Sequence, residues 1–177
     1  MLRRFSILLG LCAMLAAAPA DAALKVDAVA PEFSAQAARG GTVVDFDLKT
    51  ALAKGPVVLY FFPQSFTSGC TIEAHAFSDR IADFVRLGAT VIGVSGDDLA
   101  TQKRFSTQEC RSHFLVASDP GLRIAHMYDA VFMGLYANRV SYVIGTDGKV
   151  METYTNMEPL GHIENALRAL RDAKHPA

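Results

Sequence analysis

The stretch that decides the fold is Val57-Val58-Leu59-Tyr60-Phe61-Phe62-Pro63-Gln64-Ser65-Phe66-Thr67-Ser68-Gly69-Cys70. Its first half is an unbroken run of β-branched and aromatic residues ended by Pro63, the pattern of a strand covered on both faces of a sheet. Beyond it, Cys70, Ala74, Phe77, Ile81, Phe84 and Val85 recur at three- or four-residue steps. That spacing predicts a helix with one stripe turned toward the sheet. A buried strand therefore passes almost directly into a helix that carries a cysteine in its first turn.

The same reading extends outward. Thr90–Val94, Phe114–Ala117 and Val140–Ile144 are further strand-like runs, and Leu99–Cys110 and Leu122–Tyr128 have helical character. Asp147-Gly148 marks a hairpin turn leading into Lys149–Tyr154. Ile163, Leu167 and Leu170 place one face of a closing helix over His162–Ala173. Strands alternating with helices and ending in a hairpin and helix predict an α/β domain with a central mixed sheet flanked by helices.

The N-terminus is a different kind of segment. Arg3 and Arg4 precede an apolar run from Ile7 to Ala18, followed by small-residue patterns at Ala18-Pro19-Ala20 and Ala20-Asp21-Ala22. This is the anatomy of a signal peptide, and the run falls short of the roughly 20 residues needed to span a bilayer. Residues 1–22 are expected to be removed, leaving a domain over 23–177, with an exported, periplasmic or secreted location. That length, 177 minus 22 or 155 residues, suits one core. Cys12 leaves with the signal; bulky Leu11 before it does not suit a lipidation site. A formal net charge of -1 gives no electrostatic reason to expect nucleic acid or an anionic membrane as partner.

Two cysteines, Cys70 and Cys110, remain after cleavage, enough for one bridge in an oxidising compartment. Cys70 is the more telling because of its place. Free N–H groups and the positive end of the dipole at a helix start favour the thiolate, which is the nucleophile. Thr67 can set a hydroxyl beside the sulfur, and Gly69 permits close backbone approach. Simple packing of Cys70 on the apolar helix face remains the alternative. The five histidines, His75, His113, His126, His162 and His175, show no metal-ligand spacing. No metal and no cofactor are expected. Met127, Phe132, Met133 and Tyr136 form an apolar cluster suited to a pocket wall, a dimer contact or core packing.

Pro63, Thr67 and Cys70 reproduce Pro-x-x-x-Thr-x-x-Cys, with Glu73 following, and the segment from Val57 to Asp79 resembles the active-site region of the peroxiredoxin family. Gly93–Asp97, Ser118-Asp119-Pro120 and Arg139–Ile144 extend the likeness, in order, to the bacterioferritin-comigratory or Q-type subfamily. The resemblance implies a thioredoxin-like fold and a thiol-dependent peroxidase acting on hydrogen peroxide and organic hydroperoxides. It implies that Cys70 attacks the peroxide and becomes a sulfenic acid. Arg139 would lie beside the sulfur, with Thr67 sharing in stabilisation of the developing charge. Pro63, Gly69 and Glu73 would line the pocket, Pro63 limiting water access. A thiol reductant, either a thioredoxin-like protein or a low-molecular-weight thiol, would complete the cycle in a monomer or homodimer.

Departures from the subfamily pattern bear on the second half-reaction. His75 occupies the position, five residues after Cys70, where many members carry a resolving cysteine, and Ser68 replaces a common proline. Some members place the resolving cysteine in the helix corresponding to Leu99–Cys110, about a turn before Cys110. Cys110 is thus the expected resolving thiol, with a one-cysteine cycle as the alternative. Two other functions stay open at this level: a thiol-disulfide oxidoreductase, although the Cys-x-x-Cys of such enzymes is missing, and a non-catalytic redox-sensing domain.

Overall fold

The computed structural model describes residues 23–174; the expected signal segment, 1–22, lies outside them. The elements in chain order are β1 (Ser34–Arg39), β2 (Thr42–Asp47), α1 (Leu48–Leu52), β3 (Val57–Phe61), α2 (Ser68–Asp79), α3 (Ile81–Arg86) and β4 (Thr90–Ser95). There follow α4 (Leu99–Gln108), β5 (Leu115–Ser118), α5 (Arg123–Met127), β6 (Val131–Phe132), β7 (Tyr136–Ala137), β8 (Val140–Ile144), β9 (Val150–Thr155) and α6 (Leu160–Lys174).

Seven strands form one sheet in the order β2-β1-β5-β4-β3-β8-β9, while β6 and β7 make a separate short ribbon. Strand β3 runs parallel to β4, β4 parallel to β5, and β8 antiparallel to β3. The mixed sheet is as expected. Because successive strand side chains point to opposite faces, β3 feeds two cores at once. Val57, Leu59 and Phe61 join a cluster under α1 and α5. Val58, Tyr60 and the following Phe62 join a second cluster with α2, α4 and α6. Both Cys70 and Cys110 belong to that second cluster.

Two expectations need correction. The helix expected through Val85 is two helices, α2 and α3, broken at Arg80, where φ is -106° and ψ is 7°. The break turns Val85 out to solvent, 66% exposed, while Phe84 stays buried. Helix α4 stops at Gln108, so Cys110 sits beyond its end, its N–H bonded to the Phe105 carbonyl. Arg111 and Ser112 then take left-handed conformations, so the helix does not resume. The β1–β2 hairpin was not anticipated. Its turn, Gly40-Gly41, has φ of 56° and 78°, the doubly positive geometry for which glycine pairs are suited.

Candidate active site

Register brings the site together. Phe61, the last residue of β3, pairs with Val140, the first of antiparallel β8. The residue just before β8 is Arg139, and the loop just after β3 leads into α2. Arg139 and the start of α2 therefore meet at one end of the sheet, although separated by 139 minus 70, or 69, residues. The Arg139 Nη2 lies 3.3 Å from the Cys70 Sγ. Cys70 is 2% exposed and Arg139 3%, so this charge faces the sulfur with little water between to screen it.

The helix start adds to that field. Thr71 makes the first intrahelical bond, to the Thr67 carbonyl, so the N–H groups of Ser68, Gly69 and Cys70 have no intrahelical acceptor. Gly69 has a steric role: a Cβ built there would stand 3.0 Å from Arg139 Nη2. Thr67 is the N-cap residue, yet its hydroxyl donates to the Gln64 carbonyl at 2.9 Å and makes no capping bond. The hydroxyl expected beside the sulfur is thus engaged within its own loop. Pro63 is half-buried at the end of β3.

The loop between β3 and α2 is tied down from the next strand ends. The Asp97 carboxylate accepts from the Ser65 N–H at 2.7 Å and from the Ser95 hydroxyl at 2.6 Å. Gln102, fully buried on α4, donates to Ser95 Oγ and to the Ala117 carbonyl. Phe66, left-handed at φ 64°, stacks edge-on against Phe105. None of Ser95, Asp97 and Gln102 had been assigned a role in the site. Their signal was only that polar residues follow an apolar strand, which any loop shares.

Glu73, one turn along α2 from Cys70, is completely buried and paired with Arg139 through Nη1 and Oε2. The other terminal nitrogen of that arginine faces the sulfur. Burial pushes the Glu73 carboxyl up to about 8, against the opposing pull of Arg139. Its second oxygen, Oε1, has no hydrogen-bond partner, and His162 Nδ1 stands 3.9 Å away.

The sequence matches the AhpC/TSA family over residues 26–153. The chain is a peroxiredoxin. It is 36% identical over 160 residues to "Peroxiredoxin Q, chloroplastic" of Populus jackii, covering 86% of this chain and 75% of that protein. It is 32% identical over 154 residues to "Putative peroxiredoxin bcp" of Helicobacter pylori, covering 83% of this chain and 98% of that one. The solved structure of peroxidoxin BcpB from Mycobacterium tuberculosis superposes with a TM-score of 0.75 at 29% identity, covering 84% and 97% of the two chains. The fold is therefore the thioredoxin-like fold of peroxiredoxins, and the activity is that of a thiol-dependent peroxidase.

Among the described residues of this peroxiredoxin the two cysteines, Cys70 and Cys110, are free and buried. Cys110 is wholly enclosed, and burial, helped by the neighbouring Glu109 charge, pushes its thiol well up. Its segment is fastened to α2: Ser78 Oγ donates to the Cys110 carbonyl at 2.9 Å, and His75 Nε2 lies 2.8 Å from Glu109 Oε2. His75, at the subfamily's resolving position, thus contacts the Cys110 segment. Of the apolar cluster, Met127 packs on the core, whereas Phe132, Met133 and Tyr136 are exposed on the β6–β7 ribbon.

Proposed function

We propose that this peroxiredoxin is exported and reduces hydrogen peroxide and organic hydroperoxides through Cys70. The observation that carries the reading is the Arg139 guanidinium against the Cys70 sulfur at the start of α2. The thiolate attacks one peroxide oxygen in line with the O–O bond; the S–O bond forms, the O–O bond breaks, and water or an alcohol leaves. Arg139 and the free N–H groups at the helix start offset charge on the leaving oxygen. Gly69 gives the arginine room, Glu73 holds it, and Pro63 and Thr67 shape the approach.

Cys110 is the proposed resolving thiol. Its thiol attacks the Cys70 sulfenic sulfur, water leaves, and a disulfide forms, which an external thiol reductant, a thioredoxin-like protein or a small thiol, returns to two thiols. Both thiols are enclosed, so the turn after α4 opens to bring them into the geometry a disulfide needs, with Cα atoms within about 7 Å. Stopped-flow mixing with hydrogen peroxide and an alkyl hydroperoxide, followed by mass spectrometry of both cysteines, tests the scheme. Cys70→Ser that keeps peroxide turnover would remove Cys70 from it. Treated wild type without a disulfide would make this a one-cysteine enzyme. Analysis of the protein recovered from the native host, with or without residues 1–22, tests export.

A further inference from the structure

Behind Arg139 lies a buried group for which the peroxide chemistry gives no role. His162, on α6, has no solvent exposure. Its Nε2 faces the Asn156 carbonyl at 2.9 Å, an acceptor only, so Nε2 carries the ring hydrogen and Nδ1 of the neutral ring is an acceptor. Nδ1 receives the Ser141 hydroxyl at 2.9 Å and stands 3.9 Å from Glu73 Oε1. That oxygen is buried without a partner. An ionised Glu73 would thus leave Oε1 a bare lone pair facing a ring nitrogen whose own lone pair is taken by the Ser141 hydroxyl, in a space closed to water, which is costly. A proton on the carboxyl removes the conflict; it can be shared with Nδ1 when the side chains close the 3.9 Å gap and the Ser141 hydroxyl turns its hydrogen away from the ring.

We propose that His162 is a positioning residue for the peroxidase reaction: with Glu73 it forms a buried proton-holding pair, and Arg139 couples the charge of that pair to the charge of Cys70. The inference rests on Cys70 being the attacking thiolate. Arg139 touches both the sulfur, through Nη2, and the carboxyl, through Nη1. Thiolate together with ionised Glu73 would leave the enclosed cluster with a net negative charge. A proton on the pair brings it to neutrality and releases the guanidinium to serve the sulfur.

The other groups facing the pair are few. Glu158, before α6, acts on both by its charge; Tyr60, from β3, lies within reach of Glu73 and Cys70; the Tyr154 ring, from β9, meets the imidazole edge-on. Burial lowers His162 to about 4 and raises Glu73 to about 8. Across the interval the pair holds one proton, on the carboxyl. Because the pair keeps that proton, Cys70 can give up its own and the enclosed cluster stays neutral. On attack, sulfur transfers two electrons to the peroxide and the leaving hydroxide must gain a proton to become water. Loss of the thiolate charge lets the pair release the proton that balances this step.

The test is a double-mutant cycle read on Cys70 itself. His162→Gln retains hydrogen-bonding capacity but removes the ring nitrogen Nδ1 that faces Glu73 Oε1 and favours a proton on that carboxyl. It is expected to shift the pH profile of Cys70 alkylation upward by about one unit, slowing peroxide reaction below the midpoint about tenfold. In a Glu73→Gln background, where no carboxyl remains to be served, the same change is expected to matter less than about twofold. Equal effects in both backgrounds, or an unshifted profile in folded His162→Gln, overturn the proposal. Should His162→Gln not fold, infrared spectroscopy of wild type decides. A protonated-carboxyl band absent from Glu73→Gln must be present in the reduced enzyme and diminish on oxidation by peroxide; no such band overturns it. Peroxide turnover retained in Cys70→Ser is the separate result that removes the thiolate reading beneath.

Discussion

At Gly69 the missing side chain has a direct chemical use. The backbone there is helical, so alanine is conformationally welcome and adds up to about 1 kcal/mol of helix stability. Yet its Cβ would press on Arg139 Nη2 at 3.0 Å, and Arg139 is enclosed and paired with Glu73. Gly69→Ala is therefore expected to keep or raise the melting temperature while slowing the reaction of Cys70 with peroxide, by about tenfold for a loss near 1.4 kcal/mol. A variant both stable and fully active would show that the arginine has room to retreat. Arg139→Met removes the charge altogether, and a slowing of about 10² to 10³ is the size seen when one stabilising donor is lost; stopped-flow fluorescence measures it. Cys70, Gly69, Glu73 and Arg139 were all legible before the structure, the first two from their place at a helix start. The other two came from the family pattern, because nothing local in Arg139 or Glu73 says that they meet. His162 was legible only as a histidine without metal spacing, since its burial depends on how α6 lies across β8.

Among the elements, the decisive geometry is the antiparallel pairing of β3 with β8, which carries residue 139 to residue 61's end of the sheet. The strands were readable because five-residue runs buried throughout, wholly apolar in β3 and apolar except for Ser141 in β8, leave no other consistent pattern. Hairpin β1–β2 escaped because β2 is almost wholly exposed, leaving only Phe46 buried and no alternation to detect. The end of α4 matters more for function. Cys110 was expected as the last helical residue, but α4 ends at Gln108 and two left-handed residues, Arg111 and Ser112, follow Cys110. Such a turn is a natural place for local opening, held here by the contacts of Ser78 and His75. Cys110→Ser should preserve the first fast oxidation, accumulate sulfenic acid and overoxidise readily to sulfinic acid, as mass spectrometry after graded peroxide will register. Normal turnover of that variant with an added thiol would place resolution outside the chain.

For the molecule as a whole, the buried site sets how stability depends on pH, and the two central groups act from opposite directions. Glu73 has a folded value raised from 4.5 to about 8, mainly by burial. Its contribution is complete below the unfolded value near 4.5 and is lost as pH climbs through about 8, because folding then encloses a carboxylate that water would solvate better. His162 has a folded value lowered from 6.5 to about 4, again chiefly by burial. Its contribution is complete above 6.5 and is lost as pH falls through about 4, since unfolding lets the ring take up a proton that the core refuses. The two demands overlap on the weakly acid side of neutrality, where a proton on Glu73 and a neutral His162 coexist. Urea unfolding across the pH range should therefore give a stability maximum between about 5 and 7. In Glu73→Gln the decline on the alkaline side should flatten while the acid side is unchanged, and in His162→Gln the acid side should flatten instead. A decline of unchanged steepness in Glu73→Gln would mean that another group, Cys110 among the candidates, governs the alkaline limb.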